Sequence, residues 1–301
     1  MQNPLNYIES KPDRCIAILG ISYDEFNELS AVAIQAHEQQ QQELESQKIR
    51  INTKGGGRRR SLSNLEELCL SIFYLRHAEA TFELLGLRFG VSKTTANDKF
   101  HYWQKILRKI LPASVLEQAE RNEEDIQEIL TQLEEERLLV DSFEQDRERP
   151  LDNEVQRKYY SGKKRRHTFK TSTIGTSKGD DIVDIDVGRR GPESDITIFR
   201  KQQKKLSENQ SFLGDKAYVG AMNTETPHKK PKGKELTLVQ KEENRVLSGH
   251  RIFIEHLIRR IRIFSISRVR FPLKSWHYRR TILTVCGLVR LRLGTLEYSK
   301  L

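Results

Sequence analysis

Leu138-Leu139-Val140-Asp141-Ser142 reads as a buried strand that ends on a carboxylate. Three consecutive branched apolar residues make the short continuous run expected of a strand covered on both faces. A charge at the end of such a strand is costly unless something pairs with it. Two other stretches share this character. Phe212-Leu213-Gly214-Asp215-Lys216-Ala217-Tyr218 carries a second short apolar run into a second acid. Arg251-Ile252-Phe253-Ile254-Glu255-His256 sets a third acid inside a basic amphipathic helix. Two strand ends and a helix can bring three carboxylates to one point. Such a donor set suits two Mg²⁺ ions in phosphoryl transfer, because each ion keeps several waters and takes one or two carboxylates. Asp141 would bridge both ions, and Asp215 and Glu255 would each hold one.

Each acid also has a plainer reading. Arg147 or Arg149 could pair with Asp141. Asp215 could form a turn or cap a helix. Glu255 could join an ion-pair ladder with Arg251 and Arg259, four residues to either side. Yet residues 251–280 hold nine Lys or Arg and Glu255 as the only acid. One acid in so basic a helix is what ligation beside a phosphate backbone requires. Arg251, Arg259 and Arg262 share its face as candidate DNA contacts, while Ile254, Leu257, Ile258 and Ile261 offer the neighbouring face to a sheet. Asp195, at the start of a helix, is the best fourth acid. Trp276 and Tyr278 lie among Lys274, Arg279 and Arg280, where they either stack on splayed bases or pack in a core. His167 and His256 read as structural.

Around these stretches the sequence alternates between strand and helix signals. Thr168–Thr176 and Ile182–Val187 are β-branched or alternating, with a Lys178-Gly179-Asp180 turn between them. Pro192 opens a helix containing Ile196, Ile198 and Phe199. Ser211–Gly214 is a short strand. Leu236 to about Phe264 is helical, with a break near Gly249. Strand, strand, strand, helix, strand, helix describes a mixed sheet flanked by helices. Before it, residues 117–154 hold 15 acidic against 4 basic residues, a solvated helical connector for the most part. Residues 157–170 hold seven Lys or Arg and no acid. Within them, Lys163, Lys164, Arg165 and Arg166 are candidate phosphate contacts.

The N-terminal third reads as all helical. Ser22 and Asp24 can cap a helix running through Phe26, Leu29, Val32, Ala33 and Ile34. Three glycines and then Arg58, Arg59 and Arg60 form a basic arm or linker. Leu65, Leu68, Cys69, Ile72 and Leu75 recur at helical spacing. A short helix from Thr81, a turn at Gly90, a Ser92 cap and a polar helix start give a helix-turn-helix layout. Lys93, Thr94, Thr95 and Asn97 are placed to meet DNA. The domain reading is an N-terminal helical segment (1–52), a basic linker (53–61), a helix-turn-helix region (62–112), an acidic connector (113–136) and a catalytic α/β domain (137–301).

Bulk properties agree. A net charge of +10 over 301 residues favours a polyanionic partner, most simply double-stranded DNA. No run approaches the roughly 18 apolar residues of a spanning helix, which argues against a membrane partner. Cys15, Cys69 and Cys286 are odd in number and far apart, which argues for a reducing compartment and against a zinc site.

These residues together resemble bacterial insertion-sequence transposases of the DDE type, in the group related to Harbinger-like DDE endonucleases. The resemblance runs through Leu75-Arg76-His77, Leu84-Leu85-Gly86 and Phe89-Gly90-Val91-Ser92. It continues in Val140-Asp141, Glu148-Arg149-Pro150, Tyr160-Ser161-Gly162-Lys163-Lys164 and His167-Thr168, and ends in Gly214-Asp215-Lys216-Ala217-Tyr218 and Glu255-His256. It implies an RNase H-like catalytic domain, with Asp141, Asp215 and Glu255 as the three acids. It also implies Mg²⁺-dependent cleavage and strand transfer at element ends (Mn²⁺ substituting), a homo-oligomer on paired ends and target DNA, and a cytoplasmic, nucleoid-associated setting in a prokaryote. The family often has His-Asp where this chain has Ser194-Asp195, and Gly where Ala217 stands; neither departure removes an acid. A non-catalytic DNA-binding regulator or inactive remnant, and a metal-dependent nuclease without strand transfer, are the alternatives.

Overall fold

The computed structural model describes residues 3–47, 60–78, 80–231, 233 and 235–299. The chain divides into two compact units. The first comprises Met1–Leu111, Phe264–Ile266 and Tyr298–Leu301, and the second Pro112–Ile263 and Ser267–Glu297.

The first unit is helical, with α1 (Pro4–Ser10), α2 (Cys15–Leu19), α3 (Tyr23–Ser46), α4 (Asn64–Arg76), α5 (Phe82–Phe89) and α6 (Lys93–Ile110). Ser22 with Glu25 and Ser63 with Glu66 close capping boxes on α3 and α4, satisfying backbone donors the first turn leaves open. Helix α4 is buried from Glu67 to Leu75. Its one buried charge, Glu67, accepts from Trp103 Nε1 at 2.8 Å and pairs with Lys99 at 2.6 Å. Ser92 caps α6, and Gly90 takes the left-handed conformation that ends α5. A Cβ at Gly86 would meet the Val91 carbonyl oxygen at 2.5 Å, so this tight turn needs glycine within α5. All three cysteines are free and buried, and burial pushes the Cys15 thiol up to about 12.

The second unit begins with α7 (Val115–Asn122) and α8 (Ile126–Glu134) and is built on a sheet. Its strands are β1 (Leu138–Asp146), β2 (Tyr160–Ser161), β3 (Arg166–Gly175), β4 (Ile182–Arg190), β5 (Phe212–Leu213) and β6 (Thr224–Glu225). The main spatial order is β4-β3-β1-β5-β6, with the short β2 paired to the start of β3. Strands β1 and β4 each pair antiparallel with β3, while β5 is parallel to β1 and β6 to β5. Three antiparallel strands followed, after a helix, by strands parallel to the first give an RNase H-like sheet. Helices α9 (Asn153–Tyr159), α10 (Asp195–Gln203), α11 (Leu238–Arg262) and α12 (Tyr278–Leu293) complete the unit.

Each sheet face is sealed by a different helix. Leu138, Val140, Ile174 and Val183 pack with Phe199 of α10, Phe212 and Tyr218. On the opposite face α11 lies so close that a Cβ on Gly175 would stand 2.7 Å from Leu257 and 3.1 Å from Ile254. The ring of Tyr278 in α12 stacks on Phe169 of β3, centroids 4.0 Å apart. Arg290 of α12 is 1% exposed and makes a bidentate pair with Asp181 at 2.7 and 3.0 Å.

Several sequence expectations need correction. Strand β1 does not stop at Asp141, because Ser142–Asp146 continue the ladder with β3 through the polar pairs Ser142 with Ser172 and Glu144 with Lys170. Pro192 does not open α10; the helix begins at Asp195 after a turn in which Glu193 N–H bonds the Arg190 carbonyl. Helix α11 runs unbroken through Gly249, whose position has open space around it. A glycine there costs only about 1 kcal/mol, which the buried face from Leu247 to Ile261 outweighs. Tyr278 is core, whereas Trp276 is 75% exposed.

Candidate active site

Asp141 is the fourth residue of β1, opposite Thr173 of β3. Residues of the same parity on β1, such as Leu139, lie level with Gly175, where α11 packs; the side chain therefore lies on the α11 face. One of its oxygens accepts the Ser142 N–H at 2.7 Å. Burial pushes the Asp141 carboxyl up to about 6. The Ser142 N–H and then the Arg251 guanidinium pull against this, while the negative charges of Asp215 and Glu255 add to it. The charges of Asp215 and Glu255 thus reach Asp141; Asp141 and Asp215 are half-buried and Glu255 is exposed.

The Asp215 loop explains its own sequence. Strand β5 pairs in parallel with β1 at Leu138–Phe212 and Leu139–Leu213, so continuing that register brings Asp215 level with Asp141. Asp215 caps a single 3-10 turn, Lys216–Tyr218, by accepting from Ala217 N–H at 2.7 Å. A Cβ on Gly214 would stand 2.8 Å from the Tyr218 ring and 3.0 Å from Val140, so only glycine lets the turn fold back on β1. Glu255 projects from α11 one residue after Ile254, which is buried against the sheet with Leu257, Ile258 and Ile261. Arg147, one sequence candidate for pairing Asp141, instead lies over the Tyr159 and Phe169 rings at 4.1 and 4.4 Å.

A polar cluster lies on the opposite face of β1. Ser142 Oγ donates to Asp195 at 2.5 Å, and Lys170 Nζ stands 3.1 Å from the same carboxylate oxygen. The Lys170 side chain is 7% exposed and also donates to the Glu193 carbonyl at 2.6 Å. Asp195 is therefore already compensated, unlike Asp141. Tyr218 is buried beside this group. Its hydroxyl pKa is raised, first by burial and then by Asp141 and Asp195. Sequence reasoning missed the inward-facing Lys170, counting it with the phosphate-binding basic run of residues 157–170. Period-two alternation from Thr168 through Lys170 to Ser172 is the signal that would have found it.

Among the described residues no group of three His, Cys, Asp or Glu side chains is placed to hold a metal ion, Asp141, Asp215 and Glu255 included. A hard cation that keeps several waters and takes one or two carboxylates needs no closed cage of three acids, since substrate phosphate can complete its shell. A half-buried carboxylate whose ionisation is opposed by two neighbouring acids is one whose charge a divalent cation would stabilise.

The remaining sequence candidates are spread over both units. Arg58 and Arg59 lie outside the described residues, and Arg60 is exposed and donates to Asn64 at 2.8 Å. At the start of α6, Lys93 and Thr94 are exposed, and Thr95 and Asn97 half-buried. Lys163, Lys164, Arg165 and Arg166 are all exposed at the β2–β3 hairpin. On α11, Arg259 is exposed, while Arg251 and Arg262 are half-buried with each Nε buried and unbonded.

Residues 140–290, which contain all three acids, match the family described as DDE superfamily endonuclease. The chain belongs to the DDE superfamily endonucleases. Residues 60–113 of this DDE endonuclease match the helix-turn-helix of the same superfamily. A probable transposase for insertion sequence element IS702 from Microchaete diplosiphon is 33% identical over 217 residues, covering 71% of this chain and 75% of that protein. Solved structures of a pre-cleavage Mos1 transpososome and of a Mos1 paired-end complex with left transposon end align over 78% and 79% of the chain. They cover 87% and 88% of those chains, at 12% and 11% identity and a TM-score of 0.21 each. A likeness that loose has no weight for the fold, which rests on strand order. No helix among the described residues is long and apolar enough to cross a membrane.

Proposed function

We propose that this DDE endonuclease is an insertion-sequence transposase that cleaves element ends and joins the freed 3′-hydroxyl to target DNA. One observation carries the reading: Asp141 on the central strand is electrostatically coupled to Asp215 at the end of β5 and Glu255 on α11. Asp141, Asp215 and Glu255 would hold the divalent cations, Mg²⁺ with Mn²⁺ able to substitute. When bound, two such ions activate the attacking oxygen and stabilise the leaving one.

The chain's own residues prepare that chemistry. Asp141 gives up its proton as pH passes about 6, so its full charge is available to a cation at neutral pH. Gly214 and the Ala217 N–H fix the Asp215 carboxylate. Arg251 is close enough to lower the Asp141 pKa and would neutralise a scissile phosphate held beside that acid. Lys93, Thr94, Thr95 and Asn97 of the helix-turn-helix read the element end, and Arg58, Arg59 and Arg60 contact its backbone. Arg259 and Arg262 neutralise phosphates around the cut, and Lys163, Lys164, Arg165 and Arg166 those further along the duplex. Paired ends imply at least a dimer on DNA, in the bacterial cytoplasm at the nucleoid. The 33% identical insertion-sequence relative supports a transposase over a plain nuclease.

Incubation of end DNA with Mg²⁺ tests the reading. Wild type cleaves and Asp141→Asn does not, while both bind the DNA equally in EDTA. Equal cleavage by the two proteins contradicts it.

A further inference from the structure

The geometry points to a second DNA site in the catalytic unit: a basic cleft at the far end of β1 that grips the phosphodiester backbone of the duplex flanking the cut. It rests on the transposase reading for the identity of that duplex. The cleft holds about 510 Å³ where the end of β1, the β2–β3 hairpin and the loop before α12 meet. It starts at Asp146, five residues beyond Asp141 along β1. That places it about 17 Å away at ~3.4 Å per residue, close to five base pairs of B-form DNA.

Its charges are unbalanced. The one acid in its lining, Asp146, is already paired with Arg166 at 2.5 Å. Arg147 is held by two aromatic rings and by Ser275 Oγ at 2.8 Å. Arg149, Arg165 and Arg270 are exposed on the cleft, and none has an ion pair among the described residues. Arg149 donates to the Gln156 amide oxygen at 2.9 Å. His167 in the same lining has its pKa lowered by burial and then by Arg149 and Arg147, a second sign of a positive field with no anion to balance it.

The cleft is also built. Phe271 N–H bonds the Asp146 carbonyl, and Gln145 donates to the Val269 carbonyl, each at 2.8 Å, so the strand end and the loop carrying Arg270 are fastened together. Arg147 N–H bonds the His167 carbonyl at 2.9 Å, fastening the hairpin. Arg165 sits at φ 53, a left-handed backbone that costs a non-glycine residue about 1 kcal/mol or more. That strain lies at the residue that turns the hairpin into the cleft. Three guanidiniums without a carboxylate partner among the described residues, on a hydrogen-bonded frame, suit successive phosphates of a duplex.

The test measures binding of fluorescent end duplex to the full chain in EDTA across salt concentrations. The protein with Arg149, Arg165 and Arg270 all changed to Ala is compared with wild type and with a control in which the exposed Lys204, Lys229 and Lys241 are changed to Ala. The cleft variant is expected to bind about 10- to 100-fold more weakly near physiological salt, with a salt slope shallower by about three, and the control to change neither. The three Arg→Lys changes are expected to restore most of the slope. Unchanged affinity and slope, or an equal loss in the control, overturns the cleft. So does a loss confined to single-stranded DNA. Chelated binding is independent of catalysis. If the cleft variant loses binding while wild type never cleaves with Mg²⁺, the cleft stands and the transposase reading falls. If binding is unchanged and cleavage is intact, the reading stands and the cleft falls.

Discussion

Asp141→Asn should make the metal-free protein more stable. The folded chain raises this carboxyl to about 6, against roughly 3.9 for an exposed aspartate. An acid with a raised folded pKa holds its proton more tightly in the native state. Stability therefore falls as pH rises from about 4 to about 6, and above 6 the full penalty persists. Two pKa units correspond to about 3 kcal/mol at most, and partial solvent screening brings the expectation to about 2 kcal/mol. The amide keeps the shape and cannot ionise, so it removes the penalty. At 2–4 °C per kcal/mol for a unit of this size, Tm in EDTA at pH 8 should rise by about 4–8 °C. The gain should shrink to nothing as pH approaches 4. Mg²⁺ at pH 8 should raise the Tm of wild type and leave Asp141→Asn unmoved. A variant no more stable than wild type at pH 8 in EDTA, or one whose advantage survives undiminished at pH 4, refutes the reasoning.

Other perturbations separate structure from chemistry. Arg290→Leu strands Asp181 as a buried unpaired charge and should cost about 3–5 kcal/mol in denaturant unfolding, whereas an exposed Arg such as Arg279 changed to Leu should cost little. Lys170→Met removes the buried partner of Asp195. It should lower the cleavage rate about 10- to 100-fold while leaving DNA affinity in EDTA unchanged, and a loss of binding would contradict a positioning role. Gly214→Ala forces a methyl against Tyr218 and Val140. It should cost about 1–3 kcal/mol and abolish cleavage by displacing Asp215, so a fully active Gly214→Ala protein would show that the turn does not set the acid.

The acid-bearing stretches were legible because each joins a hydrophobic signal to an isolated charge. Val140 and Leu213 announce strands, and the turn after Gly214 is required by a close approach to Val140 that the sequence marks with glycine. The helix-turn-helix was legible for the same local reason, with Ser92 and Gly90 as its cap and turn. What escaped was non-local. The end of β1 could not be read, since Ser142, Glu144 and Asp146 are polar and gain their strand partners only from β3. Lys170 looked like surface because nothing near it in sequence reveals Asp195. The Gly249 break was an over-reading of propensity, which tertiary burial of the α11 face overrides. Trp276 and Tyr278, two residues apart, divide between solvent and core because one lies in a short turn and the other begins α12.

The most direct test of the account is a joining assay. Purified protein is incubated with Mg²⁺, DNA carrying the element's ends and a plasmid target, beside a protein in which Asp141, Asp215 and Glu255 are all changed to Ala. Metal-dependent joined products are expected with wild type and none with the triple variant, although both bind the ends. Joined products from the triple variant, or none from wild type while its end binding is intact, would contradict the account.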